Sequence, residues 1–182
     1  PGNLYGSLAP ALLVQGIGEA LMETKAKTVY VCNLVTKPGQ TDGFAVHDFA
    51  DEIERLAGVS FLDGVLYNTE MPSDELMRMY AKEGETPVQV DEEKLDATHY
   101  KAFGKPLLSG EIWGGSSADP IASSRTLIRH DSESVAKALM ETDFDKMGGT
   151  KKNVAVLFSD LRGFTKFSEG CTPEEVVEML NE

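Results

Sequence analysis

The chain has 182 residues, of which 41% are hydrophobic and 26% are charged. This is the composition of a globular protein, and no apolar run approaches the roughly 20 residues that span a bilayer. Seventeen Lys and Arg against 30 Asp and Glu leave a formal net charge of -13, which argues against nucleic acid and an anionic membrane surface as partners.

The two cysteines, Cys32 and Cys171, are too few for a disulfide framework and too far apart for a metal pair. They favour a reducing, cytoplasmic setting. The chain begins at Pro1 without a Met or a signal segment. It stops at Glu182 inside a predicted helix, so we expect that both ends are cut.

Short apolar runs alternate with amphipathic stretches up to about residue 144, which predicts a parallel sheet covered by helices. The strongest strand prediction is Thr28 to Val35, rich in β-branched and aromatic residues. Weaker strands are predicted at Phe61 to Asn68 and Pro87 to Asp91. The predicted helices are Ala11 to Ala26, Ala45 to Ala57, Ser73 to Glu83 and Ser132 to Thr142.

A loop is predicted at Gly110 to Ser124, around the lone Trp113, because this stretch is rich in small residues and lacks periodicity. The polar residues 145–152 then predict a linker between a first domain, residues 1–144, and a second segment, residues 153–182. In that segment Asn153 to Phe158 predicts a strand, and Thr172-Pro173-Glu174-Glu175 opens a predicted helix.

The loop Asn33 to Gly43 follows the strongest predicted strand, where ligands bind in open α/β sheets. Its backbone amides suit a phosphate, and Asp42 suits a sugar hydroxyl or a magnesium ion. Asn33 and Thr36 add hydrogen-bonding groups. The alternative is a polar connector with a helix cap.

Asn3 lies in a glycine-containing stretch, P-G-N-L-Y-G-S, which offers a second wall for the same cleft or a simple helix-packing turn. Tyr80 suits stacking on a base or sugar, or a half-buried position on a helix. Arg129 suits a bidentate phosphate contact, or a surface ion pair beside a helix cap.

Several long motifs in one order resemble the second half of the YvcK/CofD-like family, over about residues 1–142. These motifs are G-N-L-Y-G-S-L-A-P-A-L-L-V, K-A-K-T-V-Y-V-C-N-L-V-T-K-P-G-Q-T-D-G, M-Y-A-K-E-G and I-R-H-D. The resemblance is closest to the YvcK branch, the gluconeogenesis factors. It implies a Rossmann-like, three-layer α/β/α fold with a mostly parallel sheet, which this chain holds incompletely because the family's first strand and glycine-rich loop are missing.

The resemblance also implies a cytoplasmic protein that binds UDP-N-acetylglucosamine or a related nucleotide sugar and affects carbon use and cell shape. The family's ligand residues fall on Asn33, Thr36, Asp42, Tyr80 and Arg129. The family's relative CofD is a Mg²⁺-dependent 2-phospho-L-lactate transferase, so a transferase is an alternative function and Mg²⁺ a possible cofactor. A homo-oligomer is a further possible state.

The motif V-L-F-S-D-L-R-G-F-T, Val156 to Thr165, resembles the opening of a class III adenylate or guanylate cyclase domain. By itself, a strand-end aspartate is as easily a helix cap. The resemblance implies a short β-α fragment of an α+β cyclase domain, in which Asp160 and the carbonyl of Leu161 would bind metal only if the domain were complete. The alternative function is therefore a cyclase with a YvcK-like sensory part, although we expect no catalysis by this chain alone.

Overall fold

The computed structural model describes residues 3–109 and 128–142. A π-helical turn at Leu4–Leu8 opens the fold and continues into the short helix α1. The helices are α1 Ala9–Leu12, α2 Ile17–Glu23, α3 Val46–Ala57, α4 Asp74–Lys82, α5 Glu92–Asp96 and α6 Ser132–Glu141. The strands are β1 Val29–Val31, β2 Gly64–Asn68 and β3 Lys101–Lys105.

The three strands form one parallel sheet in the order β1-β2-β3. Val29 pairs with Gly64, and Gly64 in turn pairs with Lys101, so the strands are in register at their amino ends. Helix α3 connects β1 to β2, while α4 and α5 lie between β2 and β3 along the chain. The carboxyl ends of all three strands therefore meet at one edge of the sheet.

Helices cover both faces of the sheet. Successive residues of a strand point to opposite faces, so each strand contributes side chains to both layers. Tyr30 and Val65 point to one face, where they join a core built with Phe49 and Ile53 of α3. Leu66 points to the other face, where it packs with residues of α6. These layers confirm the predicted α/β fold with a parallel sheet for the described residues.

Helix α3 shows why the sequence folds as predicted. Phe49 and Ile53 lie one turn apart and are both buried. At the start of the helix the carboxylate of Asp48 accepts a hydrogen bond from the Ala45 amide, at 2.8 Å. Gly58 ends the helix in the left-handed conformation, with φ +71°.

The prediction of a single helix from Ala11 to Ala26 was wrong. Helices α1 and α2 are separate, and Gly16 precedes α2 with φ +88°, a conformation that other residues rarely adopt. The prediction of a strand from Pro87 to Asp91 was also wrong. This stretch makes only isolated bridges, Val35 with Pro87 and Ala45 with Gln89, since Pro87 has no amide to donate to a ladder.

Three of the predicted helices, α3, α4 and α6, are confirmed within a residue of their bounds. The predicted strands at Thr28 to Val35 and Phe61 to Asn68 contain β1 and β2 but are longer than either. The predicted loop at Gly110 to Ser124, the linker 145–152 and all of residues 153–182 lie outside the described residues, so those expectations stay predictions.

Candidate functional site

A cleft of about 460 Å³ lies at the carboxyl edge of the sheet. The loops that follow β1 and β2 and the stretch from Thr86 to Val90 form its walls, with Leu108 of the loop after β3. Its polar lining residues are Asn33, Asn68, Thr69, Glu70, Thr86 and Gln89. This is the place where ligands bind in open α/β sheets.

Asn33 lies directly beyond β1 and lines this cleft. The Tyr30 hydroxyl donates a hydrogen bond to Asn33 Oδ1 at 2.8 Å, and the Asn33 amide donates to the same hydroxyl at 3.3 Å. Burial raises the pKa of Tyr30 well above its usual value, so its hydroxyl keeps the proton that it donates. The side chain of Asn33 is thereby held in one orientation.

Thr36 fastens the loop after β1 to the chain that follows α4. It is buried, its amide donates to the Thr86 carbonyl at 2.8 Å, and its hydroxyl accepts from the Thr86 amide at 3.1 Å. An ion pair at 2.7 Å between Lys37 and Glu85 reinforces this connection. The hydrogen bond that Lys37 Nζ donates to the Glu85 carboxylate raises the pKa of Lys37, and this effect outweighs partial burial, which lowers it.

Asp42 closes the turn inside the same loop. Its Oδ2 accepts a hydrogen bond from the Gly39 amide at 2.6 Å. Thr41 is buried beside it and accepts from the Lys37 amide at 2.7 Å. The structure thus places Asp42 in an exposed turn, where its carboxylate is already engaged with the backbone.

Asn3 joins the first stretch of the chain to this loop. It is not among the residues that line the cleft at the sheet edge, so its place in a second wall of that cleft stays a prediction. Its side-chain amide donates to the side chain of Gln40. Its Oδ1 accepts from the Tyr5 amide at 3.2 Å, which caps the π-helical turn.

Tyr80 is buried on α4, and its hydroxyl accepts a hydrogen bond from the Ile128 amide at 2.8 Å. Ile128 directly precedes Arg129, so the structure brings the two predicted residues Tyr80 and Arg129 together. The Arg129 carbonyl accepts from the Ser109 amide at 2.9 Å. Arg129 is half-buried. It lies beside the stretch that follows β3, where Leu108 and His130 form an isolated bridge.

Sequence reasoning missed Asn68, the last residue of β2, and Glu70, which follows the strand. Asn68 Oδ1 accepts from the Leu107 amide at 3.0 Å and from the Glu70 amide at 3.2 Å. Glu70 Oε2 accepts from the Leu108 amide at 3.2 Å. The signal was available, because Tyr67-Asn68-Thr69-Glu70 is a polar run at the end of a predicted strand.

A second cleft, of about 610 Å³, lies between the start of α3 and the residues from Gln89 to Lys94. His47 is buried in its wall, with Nε2 3.3 Å from Asp48 Oδ1 but without hydrogen-bond geometry. The neighbouring side chains of Asp91, Glu92 and Glu93 make this cleft acidic, which disfavours a phosphate-bearing ligand.

No group of three or more His, Cys, Asp or Glu side chains within residues 3–109 and 128–142 is arranged to hold a metal ion. The predicted metal ligands Asp160 and Leu161 lie outside those residues. Over the same part of the chain, no helix combines the length and apolar character needed to cross a membrane.

Fold and cleft together define a parallel α/β protein with a polar cleft at the carboxyl edge of its sheet. Residues 1–108 match the family model for 2-phospho-L-lactate transferase CofD. The chain belongs to this CofD family. Residues 148–182 match the model for the adenylate and guanylate cyclase catalytic domain.

Several relatives carry the name gluconeogenesis factor. The gluconeogenesis factor of Bacillus subtilis is 36% identical over 141 residues, and that of Halalkalibacterium halodurans is 37% identical over 141 residues. A relative from Thermotoga maritima is 40% identical over 139 residues. These alignments cover 76 to 78% of this chain and 40 to 41% of each relative.

A crystal structure of a UPF0052 family member from Bacillus halodurans superposes with a TM-score of 0.66 at 35% sequence identity. The superposition covers 78% of this chain and 41% of that structure. The chain thus spans about two fifths of the length of these relatives.

Proposed function

We propose that this chain supplies part of the ligand site of a gluconeogenesis factor of YvcK type, which binds a nucleotide sugar such as UDP-N-acetylglucosamine. One observation carries the proposal. Asn33, two residues beyond β1, and Asn68, the last residue of β2, line one polar cleft, and Tyr80 holds the residue before Arg129 on the side of β3. Membership of the CofD family and the gluconeogenesis-factor relatives support it.

The chemistry of the cleft suits such a ligand. Amide and hydroxyl groups bind the base and the sugar by hydrogen bonds, and their fixed positions give specificity. The diphosphate needs a cation, because the chain as a whole carries a formal charge of -13 and repels anions. The guanidinium of Arg129 supplies that cation in a form that matches two phosphate oxygens at once.

The six predicted ligand residues take two roles in this proposal. Asn33 and Arg129 serve as direct ligand contacts in this proposal. The other four have supporting roles. Asn3, Thr36 and Tyr80 make hydrogen bonds to other segments of the chain, and Asp42 makes one within its own turn. The bound protein would then act in regulation, on carbon use and cell shape.

Isothermal titration calorimetry of the full-length protein with UDP-N-acetylglucosamine tests the proposal. We expect Arg129→Ala to raise Kd at least tenfold, since charge-assisted hydrogen bonds to phosphate contribute about 1.5–3 kcal/mol. Lys137→Ala is the matched control, because it removes the same charge from an exposed site on α6 and should leave Kd unchanged. Repeating the titration with EDTA shows whether Mg²⁺ takes part.

The proposal fails if the wild-type protein gives no binding heat, or if Arg129→Ala binds as tightly as the Lys137→Ala control. A transferase reading would gain support if the full-length protein moved a phospholactyl group to a deazaflavin precursor in the presence of Mg²⁺.

A second candidate function rests on the cyclase match at residues 148–182. In that case the full-length protein would make a cyclic nucleotide, and its CofD-like part would sense a metabolite. Asp160→Asn would abolish the product. A full-length protein that is inactive with ATP and GTP would contradict this candidate.

A further inference from the structure

The second cleft, between the start of α3 and residues 89–94, is framed by backbone contacts. The Val46 amide donates to the Gln89 carbonyl at 2.9 Å, and Ala45 forms an isolated bridge with Gln89. These contacts join the two walls and hold the opening of about 610 Å³ in place. Preformed clefts of this size are typical of small-molecule sites.

The charged side chains around this cleft are mostly acidic. The lining contains one ammonium group, that of Lys94, and four carboxylates, those of Asp48, Asp91, Glu92 and Glu93. The Lys94 ammonium lies 4.0 Å from Asp91 and pairs with it. The other three carboxylates therefore give the cleft an excess of negative charge, which attracts cations.

Helix capping explains part of this acidity but does not explain His47. Asp48 Oδ2 accepts from the Ala45 amide at 2.8 Å and so caps α3. His47 beside it is 6% exposed, and neither of its ring nitrogens has a hydrogen-bond partner in the part of the chain that the structure describes. A buried polar atom without a partner is unfavourable, so a group that satisfies it stabilises the complex.

His47 and Asp48 offer two acceptor atoms to one donor group. His47 Nε2 lies 3.3 Å from Asp48 Oδ1, without the geometry of a hydrogen bond between them. One nitrogen of a neutral imidazole accepts hydrogen bonds, and a carboxylate oxygen does the same. An ammonium group has three N–H donors and can bind both atoms at once.

We propose that this acidic cleft binds a small diamine or polyamine, with one primary ammonium held by His47 Nε2 and Asp48 Oδ1. A second ammonium then lies near the exposed carboxylates of Glu92 and Glu93. Val90, 40% exposed, offers an apolar surface to the methylene chain between them. The linings of the two clefts share only Gln89 and Val90, so this proposal does not depend on the ligand at the sheet edge.

Isothermal titration calorimetry of the full-length protein with putrescine at low ionic strength tests the proposal. We expect Asp48→Asn to raise Kd about tenfold or more, because it removes the charge but keeps an oxygen for the Ala45 amide. Asp74→Asn is the matched control, since it removes an exposed acid from the first turn of α4, outside this cleft. Its Kd should equal that of the wild type.

His47→Leu tests the second acceptor. We expect this variant to raise Kd about three- to tenfold. Its unfolding midpoint in urea should be unchanged or higher, because an apolar side chain replaces buried nitrogens without partners. A Kd equal to that of the wild type would overturn the role of His47 in the site.

A matched pair of ligands separates hydrogen bonding from general attraction. The bis(trimethylammonium) analogue of putrescine has the same charges and carbon chain but no N–H donor, so we expect it to bind about tenfold more weakly or worse. Equal binding of the two ligands, or equal effects of Asp48→Asn and Asp74→Asn, would overturn the proposal. It is also overturned if putrescine gives no binding heat, if an equal concentration of Mg²⁺ displaces it, or if only an oligolysine peptide binds.

Discussion

Cys32 and His130 bring reactive side chains to the carboxyl edge of the sheet, but burial makes both of them inert near neutral pH. Burial raises the pKa of the Cys32 thiol to about 12, so it stays protonated. Burial lowers the pKa of His130 to about 4, although the nearby Cys32 backbone opposes the shift. Neither ring nitrogen of His130 has a hydrogen-bond partner among the described residues.

His130 should make stability depend on pH. Its usual pKa of 6.5 applies in the unfolded chain and about 4 in the folded protein, so the unfolded chain binds more protons between these values. The stabilising effect of keeping His130 neutral is complete above pH 6.5 and is lost as the pH falls towards 4. From pH 7 to pH 5 this loss amounts to about 2 kcal/mol.

Urea denaturation of wild type and His130→Leu at both pH values measures this effect. We expect the free energy of unfolding of the wild type to fall by about 2 kcal/mol more than that of the variant. Denaturation of both proteins at pH 7 and 8, where the imidazole is neutral in both states, provides the control. An equal pH dependence of the free energy of unfolding in the two proteins would contradict the lowered pKa of His130.

Among the elements, the close approach of α2 to the end of α3 depends on one glycine. A Cβ at Gly18 would collide with the carbonyl oxygen of Ala57. Although alanine is normally the better helix former, we expect Gly18→Ala to destabilise the protein by about 1–3 kcal/mol, the usual cost of overpacking.

Gly6→Ala is the matched control for this prediction. A Cβ at Gly6 would lie 3.9 Å from the Cβ of Asn3, which is an ordinary contact. Thermal unfolding should show a lower Tm for Gly18→Ala and an unchanged or slightly higher Tm for Gly6→Ala. Equal Tm values for both variants would show that α2 can move away from α3 at little cost.

The elements that sequence reasoning recovered are those whose burial pattern is regular. Helix α3 has a clear apolar stripe, and α4 and α6 begin at residues whose side chains cap the helix, Ser73 and Asp131. Strand β3 was missed because Lys101 and Lys105 flank only three residues, one of which is Gly104. Position 104 needs a glycine, because a Cβ there would collide with the side chains of Thr69 and Tyr67.

At the scale of the whole molecule, a small sheet is stabilised by apolar layers on both faces. Phe49 is among the largest fully buried side chains and is 1% exposed. It packs edge-on against Phe44, with ring centroids 5.3 Å apart. Phe49 lies in the core that joins β1 and β2 to α3. Because the loops after β1 and β2 line the cleft, this core supports the walls of the cleft.

We expect Phe49→Ala to lower the free energy of unfolding by about 3–5 kcal/mol, because it removes a large buried side chain and leaves a cavity. Met140→Ala is the control, since Met140 on α6 is 87% exposed and surface substitutions change stability by about 0.5 kcal/mol or less. Denaturation in urea measures both. Similar unfolding midpoints would mean that the α3 face contributes little to the fold.

The sequence by itself determined the α/β class, the long helices, the position of the cleft after β1 and the family. These features follow from local periodicity and from long motifs that can be read along the chain. Only the tertiary structure decided what the candidate side chains contact. Asn68 meets Leu107 across 39 positions and Tyr80 meets Ile128 across 48, and no local pattern encodes such pairs because folding of the intervening chain brings them together.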